Sequence, residues 1–219
     1  MQLTVHGQAT AAFPPERATV HLALGFEGSD SQQVLAATTA LATEVASHLA
    51  ALRSQQPSPT TWSAVLAIGT RSWRPYSQDG VVLPLRHAAS CEVKVKFRDF
   101  AALSRFIDAW GGREGVSVGA VEWTLTEASR VREEDRVLAR AVEAARYRAQ
   151  TMATAAGSGQ VRFLEVADPG LLDRGAQTEP ASFAMSVRGK GAAGGEGVSL
   201  VPEDVELQAS VHARFAAEP

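Results

Sequence analysis

Residues 90–110 read SCEVKVKFRDFAALSRFIDAW, and two different periods meet inside them. From Cys91 to Arg98 apolar and charged residues alternate. Cys91, Val93, Val95 and Phe97 fall on one face and Glu92, Lys94, Lys96 and Arg98 on the other, the spacing of a strand with one buried and one wet side. At Asp99 the period changes. Leu103, Phe106, Ile107 and Trp110 recur three and four apart, which predicts an amphipathic helix opened by an aspartate cap and stopped by Gly111 and Gly112. A strand with a wet face belongs to an antiparallel or mixed sheet covered on one side, not to a doubly wound parallel one.

The same readings extend outward. Residues 17–28 alternate, with Ala18, Val20, Leu22, Leu24 and Phe26 opposing Thr19, His21, Gly25 and Glu27, and residues 205–215 do so from Val205 to Phe215. Weaker strand signals lie at 2–10, 62–73, 116–125 and 161–167. After Ser29, Asp30 and Ser31, the stripe Val34, Thr38, Leu41, Val45, Leu49 and Leu52 predicts a helix to about residue 53. Leu138, Val142, Ala145, Ala149, Met152 and Ala156 predict the longest helix over 130–157, with Gly157 as its carboxy-terminal cap. The predicted fold is α+β: a mixed, largely antiparallel sheet with three helices, one of them long. It forms a single domain over 1–219 with two β-α-β passages, 18–70 and 88–125, and a final strand at 204–215. The glycine-, alanine- and serine-rich stretch 170–202 is expected to be a mobile loop.

Composition narrows the function classes. A chain of 219 residues, 45% hydrophobic and 21% charged with net charge −3, can build a core and carries no basic field for nucleic acid. One cysteine closes no intrachain disulfide. No apolar run approaches the ~20 residues of a membrane-spanning helix. The opening MQLTVHGQATAAF has no secretory pattern, so the expectation is a cytoplasmic protein as written, or a periplasmic one if the chain is a processed mature form.

Among the chemistry-bearing residues, His6, His21, His48, His87 and His212 lie on separate elements without metal-ligand spacing, so no metal or other cofactor is expected. Cys91 is expected to be a buried, inert thiol. Arg188-Gly189-Lys190-Gly191 lacks the serine or threonine and the following helix of a phosphate-binding loop. Trp110 and Trp123 fall on apolar stripes and read as core. Trp73, Pro75 and Tyr76 end a strand in a turn, where large aromatics have less reason to be buried, and are the candidate partner or subunit contact. No catalytic residue is assigned.

The order of these pieces resembles the SIMPL-domain family, a bacterial domain of unknown function. The likeness is carried by VHGQATAAFPPERATVHLALGFEGSD at the start and by the stripe to Leu52. Next come the Trp73-x-Pro75-Tyr76 turn, SCEVKVKFRDFAALSRFIDA, the strand Val116 to Leu125 and the alanine-rich helix ending Ala155-Ala156-Gly157. The chain departs from the family pattern at Gln8-Ala9 and His87-Ala88. The resemblance implies an α+β fold, self-association into larger, sometimes ring-like assemblies, frequent secretion to the periplasm and loose links to oxidative or envelope stress. It supplies no catalytic residues to carry over.

Two functional expectations follow. The favoured one is a non-enzymatic, homo-oligomeric protein with a scaffolding or stress-protective role. The alternative is a small-molecule-binding protein or cryptic enzyme with a pocket between helices and sheet, Trp73, Tyr76 and a histidine at its mouth.

Overall fold

In chain order the elements are β1 (Gln2–Phe13), β2 (Arg17–Gly28), α1 (Ser31–Ser54), β3 (Thr60–Val65), β4 (Gly69–Trp73), β5 (Arg86–Phe97), α2 (Phe100–Trp110), β6 (Val116–Thr124), α3 (Glu127–Ala155), β7 (Val161–Ala167) and β8 (Val205–Ala217). They come from a computed structural model, which describes residues 1–76, 82–172 and 200–218. The expected mobile loop at 170–202 and the Arg188–Gly191 run therefore lie almost wholly outside the described residues. The α+β expectation holds, but the described strands form two separate sheets in which every pairing is antiparallel. The chain divides into two compact units, one central in sequence (Pro15–Thr124), the other joining the amino-terminal β1 to α3, β7 and β8.

The central unit has strand order β3-β5-β2-β6, with β4 also paired to β5. The expected strand at 62–73 is thus two strands, β3 and β4, which pair with successive stretches of β5. Each helix crosses between two strands that have a third between them: β2-α1-β3 spans β5, and β5-α2-β6 spans β2. This is the split β-α-β arrangement. Asp30 and Asp99 cap α1 and α2, each accepting hydrogen bonds from two backbone amides of the first turn at 2.8–3.1 Å. Both helices pack on the face formed by Ala18, Val20, Leu22, Leu24, Cys91, Val93, Val95 and Phe97, all buried. Thr38 is the one hydroxyl in the α1 stripe. Fully buried, it donates to Val34 O at 2.9 Å and lies 3.2 Å from Ala89 O on β5. Helix α1 is long and apolar enough to cross a membrane, with mean hydropathy 1.3 over its best window. Its apolar stripe is spent on the sheet, and its caps and polar flank are those of a helix packed on one side.

In the second unit the sheet order is β1-β8-β7, and α3 lies on β1 and β8 while barely touching β7. The buried face of α3 is only partly the one expected. Ala145 and Ala149 are buried as expected, but Leu138, Met152 and Ala156 are exposed, and the buried row is Glu133, Val137, Ala141, Ala145, Ala149 and Ala153, repeating strictly every four residues. The reason is proximity. Gly7 of β1 sits under α3 so closely that a Cβ there would fall inside contact distance of Ala141 O and 2.7 Å from the Ala145 Cβ. Opposite Gly7 the row is alanine, and the larger Glu133 and Val137 stand nearer the start of the helix. Gly157, with φ of 74°, ends the helix as expected, and Ser158 N donates to Ala153 O at 2.9 Å. Near the other end of α3 the buried Glu133 carboxylate accepts from Arg132 Nε and Arg136 Nη1, both at 2.9 Å. These bonds, Arg132 first, hold its carboxyl below the usual range despite burial.

Clearance at Gly7 is directly testable. Gly7→Ala should destabilise the protein by about 1–3 kcal/mol in urea unfolding, the range of core overpacking. Gly112→Ala, where an added Cβ meets nothing within 4 Å, is the control and should shift the midpoint little.

Candidate functional site

The residues singled out as a contact lie at the end of β4. Trp73 is half-buried beneath the Arg71 guanidinium, 4.6 Å from the ring centre, and Arg71 also reaches Glu27 at 3.1 Å. Pro75 is half-buried and Tyr76 is 89% exposed. Arg74 Nη1 donates to Leu83 O at 3.0 Å, tying the segment that enters this turn to the one that leaves it. The turn therefore presents one anchored aromatic and one free one. Trp110 and Trp123 are buried as expected. Trp62 was not singled out by sequence, and it is 49% exposed on the open face of the central sheet, opposite Lys96. No sequence signal marks this, because the pairing of Trp62 with Lys96 follows from the β3–β5 register and its shift between Thr60 and Trp62.

The open face also carries the closest gathering of titratable groups in the central unit. Lys94 stands opposite His21 in the β5–β2 register and Glu122 opposite Thr19 on β6, which brings Glu92, Lys94, His21 and Glu122 onto one side. His21 Nδ1 donates to Glu92 Oε1 at 3.0 Å, and its Nε2 lies 3.5 Å from Glu122 Oε1 without a hydrogen bond. Lys94 Nζ is 3.4 Å from Glu92. The bond from His21, then the lysine, holds the Glu92 carboxyl below the usual range against the opposing effect of burial. Here both nitrogens face carboxylates, the arrangement of a cross-strand charge ladder.

The other histidines are tied down singly or in a pair. Trp110 Nε1 donates to His48 Nδ1 at 2.9 Å, a bond that fixes both rings beside Phe106. His87 Nδ1 pairs with Ser72 Oγ at 2.7 Å. His6 and His212, far apart in sequence, are cross-strand neighbours with ring centres 5.2 Å apart. Among the described residues no group of three or more His, Cys, Asp or Glu is placed to hold a metal ion. Cys91 is buried on the helix-covered face, and burial pushes its thiol up, away from the thiolate a nucleophile requires.

A shallow depression of about 450 Å³ opens where β2, β4, β5 and β6 meet, bounded by Gly25, Phe26, Arg71, Ser90 and Gly115. Gly115 is required twice over. Its φ is 77°, and a Cβ would meet the Phe26 ring at 2.5 Å. Gly25 N donates to Gly115 O at 2.8 Å and closes the floor.

The Glu92 geometry sets a pH dependence. A carboxyl whose folded pKa is lowered contributes stability that is present above the ordinary glutamate value of about 4.3 and is lost as pH falls through the folded value. Glu92→Gln should therefore flatten the decline of urea stability below about pH 4.3. A decline as steep as that of the unaltered protein would show that Glu92 is not linked to folding.

No curated protein matches the chain. Its sequence matches the family model SIMPL, described as a protein of unknown function (DUF541), over residues 3–215. That match covers nearly the whole chain, and the chain belongs to the SIMPL family.

Proposed function

We propose that this chain is a non-enzymatic, self-associating protein with a scaffolding or stress-protective role, in which surface aromatics make contacts between copies. The observation that carries the reading is Tyr76, 89% exposed at the end of a turn braced by the Trp73–Arg71 stack and the Arg74–Leu83 bond. An aromatic ring held in water beside such a stack has the chemistry of an interface anchor. Support for the non-enzymatic part comes from the groups most able to do chemistry. Cys91 is buried with its thiol pushed up, and His21 is held between two carboxylates.

A second reading has its own observation. The depression at Phe26 and Gly115 combines an aromatic wall with the Arg71 guanidinium and would suit a small anionic or aromatic ligand. It lies at the end of the sheet, not between helices and sheet.

Light scattering over a range of micromolar concentrations separates the two. The assembly reading expects a mass that is a multiple of 23.2 kDa, and Trp73→Ala or Tyr76→Ala should weaken association by more than about 1 kcal/mol. A mass that stays at that of one chain at every concentration would refute assembly and turn attention to the depression.

A further inference from the structure

Strand β7 is the outer strand of the second unit's sheet. It pairs with β8 on one side and with no strand among the described residues on the other. Such an edge leaves unpaired amide and carbonyl groups that can template another strand, and proteins commonly blunt it with charge, proline or short length. Here Val161 N already donates to Gln150 Oε1 of α3 at 3.0 Å, and beyond it Phe163, Leu164 and Val166 are 39%, 40% and 47% exposed beside the charged Arg162 and Glu165.

A register shift makes the strand self-complementary. Phe163 pairs with Phe215 and Glu165 with the adjacent Arg214, so Leu164 is an extra residue in a bulge. Alternation is reset there. Val161, Phe163 and Val166 stand opposite Ala217, Phe215 and Ala213, all buried, and so share the face that α3 covers on β8. Arg162 and Glu165, three apart in sequence, consequently share the other face. Glu165 already binds Arg214 at 2.6 Å, whereas Arg162 is exposed and has no ion-pair partner among the described residues.

We propose that β7 pairs antiparallel with β7 of a second copy, about a two-fold axis at Phe163, to make one continuous six-stranded sheet. In this register Phe163 meets Phe163, Val161 meets Val166 on the apolar face, and Arg162 of each copy faces Glu165 of the other. Two-fold symmetry makes the charge pair occur twice. A strand slipped by two residues in either direction loses both charge pairs. The bulge, ordinarily a guard against edge pairing, here limits pairing to one register. The inference rests on the assembly reading and adds a contact separate from the Trp73–Tyr76 turn.

The test uses the full chain in sedimentation velocity across a dilution series, with circular dichroism to confirm folding. Arg162→Glu and Glu165→Arg should each weaken association about tenfold or more, because each places two like-charged pairs across the axis. An equimolar mixture of the two variants should recover association, since each pair between unlike copies is then opposite in charge. Should Glu165→Arg fail to fold beside Arg214, Arg162→Glu is compared with Arg162→Lys, which keeps the charge and should associate as the unaltered chain does. If the unaltered chain assembles and the variants assemble equally well, or the mixture recovers nothing, the β7 pairing is overturned while the assembly reading stands. A chain that is monomeric throughout overturns both.

Discussion

The line of contact between α3 and the β1–β8 pair sets the form of the second unit. Gly7 on the strand and Ala141, Ala145, Ala149 and Ala153 on the helix remove every side chain that would hold the two backbones apart. Close approach multiplies dispersion contacts along 29 residues of helix. It also makes the unit intolerant of added volume, because the atoms nearest the missing Gly7 Cβ are backbone atoms of Ala141 and Ala145 and the Ala145 Cβ, none of which can swing aside. A helix seated this deeply covers β1 and β8 and reaches only the start of β7, where Val161 is buried and its N donates to Gln150 Oε1 at 3.0 Å. Farther along the strand Phe163, although its ring lies 4.3 Å from that of the fully buried Phe215, remains 39% exposed. Among the described residues nothing pairs with that part of the edge.

The central unit solves the same problem of covering one sheet face with wider helices and larger side chains. Leu41, Val45, Leu49, Leu103 and Phe106 fill the space that alanines leave out in the other unit. Its open face is stabilised by charge. His21 stands at the middle of that face with Glu92 on one side and Glu122 on the other, and Lys94 offsets the surplus of negative charge. Cross-strand pairs of this kind contribute about 0.2–1 kcal/mol each at a solvated surface. Exposed apolar side chains lie elsewhere, at Tyr76 and along β7.

Much of this was legible in the sequence. Strict alternation in residues 91–98 and 205–215 placed each side chain on its face, and the aspartate caps located the starts of α1 and α2, because capping and two-residue periodicity are local properties. The face of α3 was legible only in part, since Ala145 and Ala149 lie on it as expected and Leu138, Met152 and Ala156 do not. Its sequence offers Leu138 and Met152 on one stripe and small residues on another, and the choice between them was made by Gly7, more than 130 positions away in the chain. Hydrophobic size suggests burial, and close packing reverses the ranking. The division into two sheets was hidden for a similar reason, since β1 and β8 lie at opposite ends of the sequence and only their pairing reveals the second unit. Trp73, Pro75 and Tyr76 were placed at the end of a strand, and β4 does end at Trp73. The convergence of His21 with Glu92 and Glu122, and the shared face of Arg162 and Glu165, depend on strand register and a bulge, and neither leaves a mark in composition or period.

If the edge left bare by α3 is where copies join, its amides must change state when they do. Hydrogen exchange of residues 161–167, read by mass spectrometry across the concentrations over which the protein assembles, measures this directly. Protection of β7 that rises with assembly, while Val205–Ala217 stays protected throughout, is the predicted result. Exchange of β7 that is equally fast in the assembled and dissociated protein would contradict the account, as would full protection in the single chain, where some other part of the same molecule would already hold the edge.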